Sequence, residues 1–138
     1  MSKADQTEIR MRLVVDGPVP GVTHSLQDKK NHPVDPKLSR TGESLGFDVP
    51  VRIGPGPKYY GEQVRSEGPE RRFVYIATGA QAGDKAFGGR RMKIDIHNIP
   101  QALLDGAMAG KRLTGTVAGK GKDGTPACAT VPVHWTLD

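Results

Sequence analysis

The chain has 138 residues, with 36% apolar side chains and a formal net charge of +5. A domain of this size buries roughly 68–70% of the surface its unfolded chain exposes, so folding requires neither disulfide nor metal. The single cysteine, Cys128, excludes an intrachain disulfide and points to a reducing compartment.

No window reaches the roughly 18 apolar residues of a membrane span, and no apolar stretch follows Met1 to read as a secretory signal. The expectation is a soluble, cytoplasmic protein with no membrane partner. Gly and Pro are abundant, at 18 and 11 residues, which marks many turns rather than disorder. Charge is uneven: residues 1–69 carry net +1 and residues 70–138 net +4. Such an excess is compatible with contact to a polyanion and equally with a solvated surface.

In chain order, residues 1–7 read as a disordered tail. Glu8–Val15 alternates Ile9, Met11, Leu13 and Val15 against Arg10 and Arg12, the pattern of a half-buried strand. Asp16–Gly21 stops it with two prolines and two glycines. Val22–Gln27 is a weaker strand. Residues 28–45 are polar and proline-bearing and read as one long loop, mobile unless a partner holds it. Phe47, Val49, Val51 and Ile53 mark the next strand, in which Pro50 favours an edge position. Tyr59 and Tyr60 fall in a connection. Arg72–Thr78 is the most apolar run and predicts a central strand.

Residues 79–89 form a Gly/Ala-rich loop, and Arg91–His97 alternates again, with Met92, Ile94 and Ile96 inward. The one helix is predicted over about 100–109, with Asn98 as cap, Pro100 in the first turn and Gly110 closing it. Leu113–Ala118 and Ala127–Leu137 read as a final hairpin, in which Gly115 signals a bulge or close approach and Pro132 an edge. The sum is a single mainly β domain, an antiparallel β-sandwich or open barrel of six to seven strands with one short helix. Its core comprises the alternating apolar residues above together with Val74, Ile76, Leu103, Val117, Val131 and Val133.

Catalytic motifs are absent. Gly119–Gly124 lacks phosphate-loop spacing and leads into a strand rather than a helix, so it reads as a hairpin turn. His24, His32, His97 and His134 show no zinc spacing. Cys128 and His134 lie six residues apart, roughly 20 Å along a regular strand, too far to act together. No cofactor and no metal are expected, and no catalytic residue can be named.

Basic doublets at Lys29-Lys30, Arg71-Arg72, Arg90-Arg91 and Lys111-Arg112 leave single-stranded nucleic acid or another polyanion as an alternative partner. The leading reading is a non-enzymatic binding domain that takes a small ligand or a protein partner through loops on a β scaffold. Its candidate ligand-binding residues are His24, Gln27, Arg71, Arg72, Arg90 and Arg91, with residues 22–27 and 28–45 bordering the site. An enzyme with an unrecognised cleft is the second alternative.

Several segments in order resemble a family of small bacterial proteins, the domain of unknown function 5990. They are Gly21–Asp28, Arg71–Ile76, Arg90–Ile94, Leu113–Gly115, Asp123–Val131 and His134-Trp135. The resemblance implies a bacterial origin and brings no activity, cofactor or site residue.

Overall fold

The computed structural model describes residues 6–55, 58–79, 91–127 and 129–138. Two mixed sheets face each other as a sandwich and do not close into a barrel. The first contains β1 (Thr7–Asp16), β4 (Leu45–Gly54), β5 (Lys58–Tyr60), β9 (Arg112–Ala118) and β11 (His134–Leu137), in the order β11-β9-β1-β4-β5. The second contains β2 (Thr23–Gln27), β3 (Pro33–Leu38), β7 (Arg72–Gly79), β8 (Arg91–Asp95) and β10 (Ala129–Thr130), in the order β10-β8-β7-β2-β3. The two-residue β6 (Arg65–Ser66) also pairs with β7.

Period-two alternation places the core. On β1, Met11, Leu13 and Val15 point inward, and their partners Val49, Phe47 and Leu45 on β4 do the same. On the opposite sheet Val74 and Ile76 pair with Ile94 and Met92, and all four are fully buried. Helix α1 (Gln101–Met108) presents Leu104 and Ala107 to this core and packs on β1, β9 and β11. Of the expected core, Leu103, Val131 and Val133 are only partly buried and pack at its margin.

Several expectations are corrected. Residues 28–45 are not one loop: β3 lies within them, pairs with β2 and forms a sheet edge, where its two prolines cost no ladder bond toward a neighbour. The β2–β3 turn is built by Asp28, whose Oδ1 accepts the N–H groups of Lys30 and His32 at 2.8 and 2.9 Å. Thr7 belongs to β1 and not to a tail, while residues 1–5 lie outside the described ones, as do Gly56, Pro57, residues 80–90 with most of the Gly/Ala-rich loop, and Cys128. Tyr59 and Tyr60 form β5 rather than a loop.

Asn98 does not cap α1; Pro100 holds that position, and the Asn98 amide donates to Asp95 instead. β4 is internal, yet β5 pairs only with Arg52–Gly54, so β4 is open on that side at Pro50. The final strand is split at Pro132: β10 joins the edge of one sheet beside β8, and β11 joins the edge of the other beside β9. Among the described residues the strands number eleven, short segments such as β5, β6 and β10 included.

Gly115 marks a close approach, as its position in the strand implied. It lies opposite Trp135, and a Cβ there would stand 2.6 Å from the indole ring. Two expected outcomes follow from this packing. Leu13→Ala, at a fully buried site, lowers stability by about 2–5 kcal/mol in urea denaturation. Gly115→Ala lowers it by about 1–3 kcal/mol through displacement of Trp135.

Candidate functional site

One edge of β7 is divided between two strands. β2 pairs with Ile76–Gly79 and β6 with Arg72 and Phe73. At the break the chain leaves the sheet through the β2–β3 turn, and the outward residues of β7 become the floor of a polar cluster. Tyr75 is its centre. The guanidinium groups of Arg65 and Arg91 lie over its ring, 4.7 and 5.0 Å from the centroid. Its hydroxyl donates to Glu67, whose other oxygen accepts Lys93 Nζ at 2.5 Å.

These two hydrogen bonds hold the Glu67 carboxyl below its ordinary range. Burial, and then the Glu67 hydrogen bond, raises the Tyr75 phenol. Arg65 donates to the carbonyl of Asp28 at 2.6 Å and to the side chain of Asn31. Burial, reinforced by the Arg91 charge, lowers the Arg65 guanidinium. Asn31 adopts a left-handed backbone with φ of 65°, a conformation Asn tolerates better than most residues.

Below this cluster, two clefts of about 450 and 390 Å³ adjoin each other across Tyr59 and Arg72, which line both. Lys29, Tyr60, Arg65 and Ser66 complete the polar wall of the first. Lys58, Glu70, Arg71, His97 and Asn98 contribute to the second. These are volumes that hold small ligands. Burial pushes the Tyr59 phenol up to about 12, with the Asp95 charge adding to it, so the hydroxyl is neutral and able to donate. Arg72 is fixed by donation from Nη1 to the carbonyls of Gly68 at 3.1 Å and Arg71 at 3.0 Å. Arg71 lies over the Phe73 ring, 5.2 Å from its centroid.

His97 is held from several directions. Its Nδ1 is 2.8 Å from Asp95 Oδ1 and 3.1 Å from the Arg72 carbonyl oxygen, and the Arg72 backbone N–H is directed at the same nitrogen at 3.1 Å. The Arg72 N–H would favour a bare Nδ1, but the carboxylate is closer, at 2.8 Å against 3.1 Å, and carries a full charge, so it favours the proton on Nδ1. Asp95 Oδ1 also accepts the His97 backbone N–H at 2.8 Å, and Asn98 donates to Oδ2 at 2.6 Å. The ring stands edge-on to Phe73 at 5.2 Å.

The residues singled out from the sequence divide among three places. Arg71 and Arg72 line the second cleft, and Arg72 the first as well. Gln27 and Arg91 meet at Asn31: the Gln27 amide donates to its carbonyl and the Arg91 guanidinium to its side chain, both at 3.4 Å. His24 pairs with Thr78 and shares the inward face of Leu26. It is fully buried, its Nδ1 is 3.3 Å from the Val22 carbonyl, and its Nε2 has no partner among the described residues. It therefore reaches neither cleft. Arg90 and Cys128 lie outside the described residues.

Sequence reasoning missed Tyr59, Arg65, Asp95 and His97 as a group. The alternation that runs through β8 and on past its end at Asp95 puts Asp95 and His97 on the side opposite the buried Ile94 and Ile96, and that spacing was the one available signal. Among the described residues no group of His, Cys, Asp and Glu could hold a metal ion, and no helix is long and apolar enough to cross a membrane.

A family model matches residues 9–138 and is described as a family of unknown function, DUF5990. The chain belongs to DUF5990. No curated protein and no solved structure matches it.

The His24 environment makes stability depend on pH. Burial lowers its pKa below 6.5 in the folded chain, against a smaller opposing effect of the Val22 carbonyl. The unfolded chain thus binds a proton that the folded chain resists. The contribution is complete above about pH 6.5 and is lost as pH falls below it. Urea midpoints of the wild type should drop between pH 7 and pH 5 more than those of His24→Leu. Equal slopes for the two proteins would show that His24 does not cause the loss.

Proposed function

We propose that this DUF5990 protein is a binding domain for a small anionic ligand, held in the paired clefts around Tyr59 and Arg72. The observation that carries the reading is a charge imbalance. Among the described residues, Lys29, Lys58, Arg65, Arg71 and Arg72 line the clefts against a single lining carboxylate, Glu70. A concave site of one sign concentrates ligands of the other, and paired arginines suit carboxylate and phosphate groups in particular.

A small ligand is favoured over a nucleic-acid strand. Base stacking needs several free aromatic faces, but Arg65 and Arg91 lie over Tyr75, Arg71 and Lys93 over Phe73, and Tyr59 is buried, which leaves the half-buried Tyr60 alone among the aromatic residues named for the clefts. The reducing compartment inferred from a single cysteine, and the bacterial origin implied by the resemblance, support placing this binding in a bacterial cytoplasm.

Calorimetric titration with sulfate, pyrophosphate and citrate at low ionic strength tests the reading. At least one anion should bind with an affinity that declines as salt is added. Arg71→Ala and Lys58→Ala should each weaken it about tenfold, the loss of one charge-assisted hydrogen bond. Binding that both variants leave intact, or no binding of any of the three, would refute the assignment.

A further inference from the structure

We propose that the cleft between β5, residues 69–72 and residues 97–98 is a site for a tetrahedral oxyanion, a phosphoryl or sulfuryl group, and that His97 binds this group by donating from Nε2. The proposal rests on the anionic-ligand reading above. It adds to that reading a ligand geometry, a new binding residue and a proton.

His97 is oriented like a ring meant to present one nitrogen. The Asp95 carboxylate fixes Nδ1, and Asn98 in turn fixes the carboxylate. The Phe73 ring limits rotation. Nε2 is then the nitrogen left over. It is neither buried nor bonded among the described residues, and His97 lines the cleft. A histidine that served only to brace the β7–β8 pair would need Nδ1 alone.

Charged groups from the neighbouring elements line the same cleft as the ring, and Lys93 lies over the Phe73 ring that His97 meets edge-on. Lys58 and the neutral Tyr59 hydroxyl come from β5, Arg71 and Glu70 from the connection before β7, and Arg72 from β7 itself. On its own element Asp95 is already saturated by His97 and Asn98. Cations contributed by separate elements can each meet a different oxygen of a tetrahedral dianion, whose oxygens point to all sides, whereas a planar carboxylate offers two in one plane.

Neutral imidazole with its proton on Nδ1 offers Nε2 only as an acceptor, which an oxyanion repels. Binding therefore requires a second proton, on Nε2. The bound dianion on one side and Asp95 on the other both stabilise the resulting imidazolium. Ligand binding near neutral pH should take up a proton, and by reciprocity lower pH should tighten binding.

Sulfate is the clean probe, because it stays dianionic throughout the range used. Calorimetry with sulfate at pH 6 and pH 8, in two buffers of different ionisation enthalpy, should show proton uptake and affinity about tenfold weaker at pH 8. His97→Gln keeps a neutral side-chain donor and should bind sulfate more weakly, with neither proton uptake nor pH dependence. Asp95→Asn should reduce both in part, as expected of a positioning residue. Unchanged thermal midpoints and circular dichroism establish that the variants fold; should Asp95→Asn fail to fold, His97→Gln decides.

Equal wild-type sulfate affinity at pH 6 and pH 8, or a pH dependence that survives in His97→Gln, overturns the proposal while the broader anionic-ligand reading stands. Absence of binding by every anion overturns both. Inorganic phosphate and phenyl phosphate then separate the sources: tighter binding of the first supports a free oxyanion, tighter binding of the second an ester. Citrate binding more tightly than sulfate and both phosphates refutes the tetrahedral geometry.

Discussion

The rule that buried backbone groups must find hydrogen-bond partners shapes this molecule most visibly along one edge of β7. Neither β2 nor β6 covers that edge alone. β2 serves its end near Gly79 and β6 its start near Arg72. The chain must therefore leave the sheet between them, and it does so through the Asp28–His32 turn. Arg65 closes the break by donating to the Asp28 carbonyl. The break brings Lys29 from the turn beside Arg72 from β7 and Tyr60 from β5, and these residues wall the larger cleft. Regular pairing along the whole of β7 would leave a flat sheet edge there.

The manner in which the cations are held gives the clefts their character. Arg72 donates to backbone carbonyls. Arg65 rests on a carbonyl, an amide and the Tyr75 ring. Arg71 lies on the Phe73 ring. Carbonyl dipoles and aromatic faces orient a guanidinium without cancelling its charge. Glu67, the carboxylate that does bind a cation here, is taken by Lys93 and Tyr75 on the outer face. The side chains are thus ordered before any ligand arrives, and their field remains available to it. Such order reduces the entropy that binding would otherwise cost.

The long strands were legible because alternation is strong where one face is buried. β1 and β4 carry four and five buried apolar residues in clean period two, β8 carries Met92 and Ile94 with Ile96 continuing the pattern, β9 carries Leu113 and Val117 on either side of Gly115, and α1 is bracketed by Pro100 and Gly110. β3 was hidden because Pro33, Asp35 and Pro36 are poor strand formers, which only an edge accommodates. β5 and β6 are too short to have a period. The site was half legible. Arg71 and Arg72 stood out as a doublet before the most apolar run. Asp95 and His97 did not, since their partners Arg72 and Phe73 lie on a different strand and only the β7–β8 register joins them. His24 sits in the same alternation as Val22 and Leu26, so its inward direction was written in the sequence, although its polarity argued for a ligand.

The placement of β9 bears on how the protein can be made. It lies parallel to β1, with Met11 beside Leu113 and Val15 beside Val117, so the first strand and one of the last are central neighbours in the same sheet. During synthesis β1 and β4 can pair early, but the other edge of β1 stays bare until Ala118 has emerged. Long-range parallel pairing of this kind is slow to form. Until then Met11, Leu13 and Val15 sit on a strand with one open edge, a species prone to pair with another nascent copy. The outward-facing Arg10 and Arg12 place two like charges along that edge, which discourages such pairing before β9 arrives.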